Sequence, residues 1–283
     1  LGYDVETLQT TTPARLHHLH ITSEDPERLS EFYVRMLGLT VSRLKQGMYV
    51  LTGGQRAIVI SQGPGRSLSF AAYAVENSDS QARLRNRLVT AVCNLEDIRS
   101  PLLQPGSFAI ADPQGRRTIF GVAEGDRHTD ALPARLQHVV FQTTMLEAVV
   151  KFYVEKIGYT VSDTVVNDDN RLVVCFLRSD DEHHSLAFFR GSQDELDHHC
   201  YETSGWNDIR DWGDRFAKER IPIFFGPGRH GPGNNLFFMV TDTDGNRLEF
   251  SAELQTVSPG QPPSIWPDNE YTLNSWGRAW IRT

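Results

Sequence analysis

The sequence predicts an α+β protein built from two tandem copies of one strand-rich unit, and three observations predict it. Near the start stand R-L-H-H-L (15–19) and F-Y-V-R-M-L-G-L-T-V-S (32–42); later come R-L-Q-H-V (135–139) and F-Y-V-E-K-I-G-Y-T-V-S (152–162). His18 and His138, like Phe32 and Phe152, are separated by 120 residues. The closing segments F-A-I-A-D-P-Q-G-R-R-T-I-F (108–120) and F-M-V-T-D-T-D-G-N-R-L-E-F (238–250) repeat at an offset of 130, so the second copy has gained about ten residues in loops, where insertions are best tolerated. In a duplicated chain one copy is an internal control for the other. Residues the fold needs recur in both, whereas residues that chemistry needs can stand in one.

Each copy opens on a short apolar strand followed by a helix. Asp25 is a good cap with Pro26 in the first turn, and Leu29, Phe32, Tyr33, Met36 and Leu37 then recur at helical spacing. Leu146, Val149, Val150, Tyr153 and Ile157 repeat that stripe, and Gly38 and Gly158 stand where a left-handed residue ends a helix. Strands follow. M-Y-V-L turns through T-G-G-Q into R-A-I-V-I over 48–60; the expected counterpart is Thr160–Val166, a turn at N-D-D-N, and Arg171–Leu177. Second helices are expected near Ser78–Leu88 and Asn207–Glu219, ahead of the closing strands. The divisions are a first unit over 1–122, a polar linker over 123–133, a second unit over 134–254 and a tail over 255–283. The tail carries Trp266, Trp276 and Trp280, which need something to pack on, and is expected to be an ordered lid or an oligomer contact.

Composition narrows the function. At 283 residues and 39% hydrophobic content the chain can bury a soluble core. A formal charge of −8 argues against a nucleic-acid partner, because phosphate binding needs a basic surface. No apolar run reaches membrane-spanning length, and L-G-Y-D-V-E-T-L-Q-T lacks the basic and apolar regions of a signal peptide, so neither a membrane partner nor export is expected. Cys93, Cys175 and Cys200 are odd in number and form no C-x-x-C pair, which fits reduced thiols in a cytoplasm. The histidines, clustered at 17–20, 183–184 and 198–199, invite a metal.

Overlaying the copies isolates the candidate chemistry. S-L-S-F-A-A-Y (67–73) falls on E-L-D-H-H-C-Y (195–201), which sets Ala71 against His199, and the closing strands set Ile119 against Glu249. The second copy therefore has His138, His199 and Glu249 where the first has His18, Ala71 and Ile119. Two imidazoles and one carboxylate on three strands are the composition of a facial triad for divalent iron, with coordination positions left open. The strand period of two puts Leu136, His138 and Val140 on one face, and Arg247, Glu249 and Ser251 on another single face. An unpaired carboxylate buried between Leu248 and Phe250 is costly, and a metal relieves the cost. A single histidine in a strand is more often a hydrogen-bonded core residue, and His18, without partners in its own unit, is read that way.

The stretches R-L-Q-H-V-V-F with F-Y-V-E-K-I-G-Y, H-H-S-L-A-F, D-H-H-C-Y, G-P-G-R-H-G and D-T-D-G-N-R-L-E-F jointly resemble the type I extradiol ring-cleaving dioxygenases of the vicinal-oxygen-chelate superfamily. The resemblance covers nearly the whole chain. It implies two vicinal-oxygen-chelate domains, each of paired βαβββ modules forming an open barrel-like cup, with the metal inside the second. It implies Fe(II), or Mn(II), held by His138, His199 and Glu249, with His198 on the opposite strand face. The implied partners are a small vicinal-diol aromatic and O2, and the implied assembly is a homo-oligomer. His184, rather than His183, matches the histidine that acts as acid and base beside bound oxygen; His230 matches a further pocket histidine. Phe176 falls at an aromatic pocket wall, and Phe188 is assigned to the same pocket.

One departure matters. Ten residues before the glutamate, where the family usually has a tyrosine, stands Met239. A thioether can pack against a ring but cannot exchange a proton. His230, Tyr201 or a tail residue is left to take that role, or the substrate is a diol other than a simple catechol. The tail also resembles that of arylacetate-type members, but D-N-E-Y-T-L-N (268–274) lacks their paired arginines, so a carboxylated catechol is not expected. Three alternatives stay open: a dioxygenase of a heteroaromatic diol, an isomerase or resistance enzyme of the same fold, and a metal-free small-molecule binder. The binder would need none of the three ligands.

Overall fold

The computed structural model of the chain describes residues 12–45, 47–125 and 131–278; Trp280 and the middle of the expected linker lie outside the described residues. Strand β1 (Ala14–Ser23) leads into helix α1 (Pro26–Leu37). The helix starts because the Asp25 side chain accepts from the Arg28 N–H and Pro26 needs no donor there, and it ends at Gly38, left-handed at φ 65°. β2 (Thr40–Lys45), β3 (Met48–Thr52) and β4 (Ala57–Gln62) complete a βαβββ module. β5 (Ser67–Val75), α2 (Ser78–Thr90), β6 (Leu95–Asp97), β7 (Phe108–Ala111) and β8 (Arg117–Val122) repeat it. The two modules join through the antiparallel β1–β5 pair into one sheet of order β2-β3-β4-β1-β5-β8-β7-β6.

The second unit has the same plan. Its first module is β9 (Arg135–Thr143), α3 (Leu146–Lys151), β10 (Thr160–Val166), β11 (Leu172–Arg178) and β12 (Leu186–Arg190). Its second is β13 (Glu195–Thr203), α4 (Trp206–Lys218), β14 (Phe225–Arg229), β15 (Leu236–Thr241) and β16 (Arg247–Ala252). The sheet runs β14-β15-β16-β13-β9-β12-β11-β10, and a tail strand, β17 (Ser264–Pro267), adds to its edge in parallel with β10. The chain is therefore α+β, with paired βαβββ modules in each of two open sheets. Among the described residues no helix is long and apolar enough to cross a membrane.

Two local readings change. α3 does not stay α-helical: it continues as a π-helical turn over Phe152–Ile157, closed by Gly158 N–H on the Tyr153 carbonyl, whereas Gly38 N–H closes α1 on Val34. The 48–60 hairpin is β3–β4, and its topological equivalent is β11–β12; the 160–177 hairpin is β10–β11, equivalent to β2–β3. Loops of unequal length let an overlay based on turns slip by one strand.

One apolar cluster runs through both units. It takes Leu29, Tyr33 and Met36 of α1, Leu84 and Leu88 of α2, Val149 and Val150 of α3, and Trp212 and Phe216 of α4, together with one face of each sheet. Buried Arg56 spans the junction by donating to the carbonyls of Leu37, Leu132 and Ala134. The other sheet faces line the two cups, and small separate clusters sit there: Ala72, Leu103, Ala109 and Ile119 in the first, Val140, Val174, Phe176 and Phe189 in the second.

Candidate metal centre

Strand register decides which side chains enter the second cup, because residues directly opposite one another on a ladder share a face. Cys200 is opposite His138 and Glu249, His198 is opposite Val140, and Met239 is opposite Glu249. His138, His198 and Glu249 therefore converge, each with a ligand atom within 4.8 Å of the others, and all three are buried. His199, expected from the sequence as the second imidazole, is corrected by this geometry. It lies opposite Val139 and Leu248, on the core face, and its Nε2 donates to the Tyr33 hydroxyl at 3.2 Å. Burial pushes its imidazole down to about 3. The same geometry reverses the expectation that His198 faces away.

The duplication held the signal that would have found this. Tyr73 and Tyr201 occupy equivalent places, and both are buried in the main core. Alternation then sends 199 to the core with 201, and 198 and 200 into the cup.

Both converging imidazoles are aimed. Gln137 gives its amide hydrogens to Glu182 and to the His184 carbonyl, so its oxygen faces His138 and accepts from Nδ1 at 2.5 Å. His198 Nδ1 donates to Asp197, whose other oxygen accepts from Arg247 at 3.2 Å. Each ring thus turns its Nε2 toward Glu249 Oε2, at 3.9 Å for His138 and 3.2 Å for His198. Outward-pinned Nδ1 hydrogens are the usual support of metal-ligating histidines. Asn235 donates to the remaining Glu249 oxygen at 3.1 Å. Burial would raise the Glu249 carboxyl, but His198 and His230 hold it well below the usual carboxylate range. Burial pushes His138 down to about 3, which keeps its lone pair free. Two aimed imidazole nitrogens and a buried, ionised carboxylate fit a divalent transition metal.

The first cup is the control. His18 keeps the place of His138, with Nε2 3.2 Å from the Ser100 hydroxyl. Phe70 stands where His198 does, edge-on to His18 and His20, and Ile119 replaces Glu249. Apolar side chains fill the space that the second cup leaves polar.

The second cup opens into a cavity of about 400 Å3, counting its mouth. His184, His230, Phe176 and Met239 line it, as do Val140, Phe189, Phe225 and Leu273, and among the described residues no Arg or Lys does. Phe188 and Tyr201 do not line it. Phe188 packs on Tyr153 and Phe141 in the main core, and Tyr201 stacks on Phe250 there, because both belong to the core-facing set of their strands. Phe189, one residue on, is the cavity wall instead. Sequence reasoning also missed Asn235, Phe225 and the tail residue Leu273. The ring of His230 lies flat on Phe237, centroids 3.8 Å apart, and its Nδ1 donates to the Leu273 carbonyl at 2.5 Å.

Residues 135–250 match the Glyoxalase/Bleomycin resistance protein/Dioxygenase superfamily. The chain is 26% identical to metapyrocatechase 2 of Cupriavidus necator over 91% of this chain and 88% of that protein. Its fold superposes on a variant of homoprotocatechuate 2,3-dioxygenase from Brevibacterium fuscum with TM-score 0.82 at 21% identity, over 94% of this chain and 79% of that one. It also superposes on the Mn(II)-bound glyoxalase from Novosphingobium aromaticivorans with TM-score 0.79 at 23% identity, over 96% and 92% of the two chains.

Proposed function

We propose that the chain, whose residues 135–250 match the Glyoxalase/Bleomycin resistance protein/Dioxygenase superfamily, is an extradiol ring-cleaving dioxygenase, inserting both atoms of O2 into an uncharged aromatic vicinal diol. The metal is Fe(II), with Mn(II) the alternative, held by His138, His198 and Glu249. The observation that carries this reading is the pair of Nε2 atoms aimed at one buried carboxylate, in one copy of the duplicated unit only.

Bound there, the metal would acidify both ring hydroxyls and hold diol and O2 side by side, which removes most of the cost of their encounter. The residues of the chain do the rest. Phe176, Phe189 and Phe225 wall in a flat apolar ring and exclude water. His230, with Nδ1 bonded to Leu273, presents Nε2 3.7 Å from Glu249 Oε1, where it can take the proton of a ring hydroxyl that Met239 cannot accept. His184, its ring 4.4 Å from that of His138, also lines the cavity and supplies a second site for holding and returning a proton. Among the described residues the cavity offers one carboxylate, Glu249, and the isomerase reading is left without the second acid it commonly uses. The reading carries with it a cytoplasmic homo-oligomer, for which exposed Ile265 and Tyr271 of the tail offer apolar surface.

Loading with Fe(II) under anaerobic conditions, adding catechols and admitting air tests the proposal. Oxygen uptake with a ring-opened chromophore is expected. Neither signal across a panel of alkyl- and aryl-catechols, in protein shown to hold one metal per chain, would sink it.

A further inference from the structure

Among the described residues, Met239 carries the one sulfur in the cavity wall. The sequence has three further methionines, Met36, Met48 and Met145, in different surroundings. Met36 is buried in the main core, Met48 is half-buried on β3, and Met145 is 45% exposed ahead of α3. Met239 is 1% exposed and yet lines the cavity. It stands directly across the ladder from Glu249 on one side and from Phe225 on the other. Residues paired in this way share a face, with β-carbons about 4.5–5.5 Å apart, so the thioether lies beside the metal cluster. Phe225 and Phe237 complete a small apolar cluster with it. Cys200 also faces the cup, but its thiol donates to the Ser251 hydroxyl at 3.1 Å and is not part of the cavity wall. The first cup, which lacks the metal cluster, has Ala109 opposite Ile119 at the equivalent place.

A thioether sulfur is soft and polarisable, and of the groups in this wall it is the one most readily given an oxygen atom. The two reactants that meet in the cavity can supply that oxygen. A vicinal diol is a two-electron reductant, and O2 is a two-electron acceptor. Where their encounter does not end in ring opening, the diol loses two electrons and two protons to O2, leaving an o-quinone and hydrogen peroxide. A lone pair of the Met239 sulfur then attacks one peroxide oxygen. The S–O bond forms as the O–O bond breaks, and the second oxygen leaves as water with both protons. Diol, O2 and thioether thus give quinone, water and sulfoxide, with no further oxidant or reductant.

We propose that Met239 is an oxidation site in the cavity wall, converted to its sulfoxide by hydrogen peroxide from turnovers that miss ring cleavage, and that this conversion ends the activity of the chain. The source of peroxide rests on the dioxygenase reading. A sulfoxide oxygen at this position stands among Phe225, Phe237 and the Glu249 carboxylate, where it opposes a flat apolar ring and repels the anion.

Peptide mass spectrometry reads the site directly, with the other methionines as controls in the same chain. Full-length, Fe(II)-loaded protein is given a large excess of catechol in air until the diol is consumed. The Met239 peptide is expected to gain one oxygen atom, several-fold more often than the Met145 peptide, and neither should change without air. Catalase in the buffer should leave the Met239 yield as it is, since the peroxide forms beside the sulfur. Metal-free chain in bulk hydrogen peroxide should show the opposite order, because exposure then decides and Met145 is within reach. The activity that fresh Fe(II) fails to restore should match the fraction of Met239 converted. Met239→Leu keeps the volume without the sulfur and should retain a larger share of its own initial rate; the peptide measurement on the native chain carries the test if that variant fails to fold. Met239 left unmodified once the diol is gone, oxidised no faster than Met145, or protected by catalase overturns the inference. Ring-opened product beside an unmodified Met239 would remove the oxidation site and leave the dioxygenase reading. Quinone and oxidised Met239 without ring-opened product would do the reverse.

Discussion

The hydroxyl of Tyr33, on the first unit, accepts a hydrogen bond from His199 of the second at 3.2 Å and passes its own hydrogen to Asp242 at 2.9 Å. Adjacent histidines on β13 thus have opposite duties: His198 faces the cup, and His199 ties the two units together. Substitution should separate them. His198→Ala is expected to lose bound metal while melting near the native temperature of the metal-free chain. His199→Ala should keep stoichiometric metal but lose about 1–3 kcal/mol of stability, the cost of orphaning a buried partner. Metal analysis and calorimetry on the two variants give the answer. Metal loss from His199→Ala with His198→Ala unaffected would reverse the assignment.

Much of this was legible in the sequence, for physical reasons. The 120-residue repeat exposed the duplicated unit, because each copy must rebuild the same cap, stripe and left-handed glycine. Glu249 stood out because the sister copy has Ile119 in its place, and His138, kept in the sister copy as His18, was singled out by its company. The choice between His198 and His199 needed the strand face, which shared Tyr73 and Tyr201 could have supplied. The same reasoning separates core-facing Phe188 from Phe189. The π-helical turn left no mark, since Tyr153 and Ile157 are compatible with ordinary helical spacing. Asp163 was unreadable: its partners lie on the tail about a hundred residues later, and only strand pairing brings Ser264 beside it.

Removing one member of the metal cluster should uncouple stability from metal. A ligand that binds only the folded chain stabilises it by about 2.7 kcal/mol at a hundred times its dissociation constant. Thermal denaturation of metal-free protein titrated with Fe(II) or Mn(II) is expected to show a rise of that order. Glu249→Gln keeps the shape and the Asn235 contact but loses the anionic donor, and should abolish most of the shift. An equal shift in the variant would place the metal elsewhere.

Charge in the cavity predicts selectivity. Among the described residues no Arg or Lys lines it, so a ring carboxylate would enter without a counter-ion from them and at a cost of several kcal/mol. At about 1.4 kcal/mol per factor of ten, kcat/KM for a carboxylated catechol should fall at least about 100-fold below that for its methyl analogue. Steady-state oxygen uptake with the matched pair measures this. Leu273→Arg, which puts a cation on the wall, should narrow the gap; comparable rates for both diols in the native chain would show that a cation reaches the cavity after all.

The tail should come away in acid. Asp163 is buried, which by itself raises a carboxyl, but His183, the Ser264 N–H and the Trp266 indole together hold it below its usual range. A carboxyl depressed in the folded state contributes stability above its unfolded value of about 3.9, and that contribution disappears as pH falls through the lower folded value. Tail docking is therefore expected to be independent of pH from neutrality down to about pH 4 and to weaken below it. Protonation turns one of the two acceptor oxygens of Asp163 into a donor, so it cannot hold both tail N–H groups, and β17 loses the side-chain anchor that holds it to β10. Trp266 is half-buried, and its emission should shift to the red in that acid range ahead of global unfolding. In Asp163→Asn the carboxylate is gone at every pH, so the local acid transition should vanish and the tail should exchange its amide hydrogens faster even at neutral pH. A native chain whose tail and core unfold together in acid, with Asp163→Asn following the same curve, would show that this carboxylate does not hold the tail.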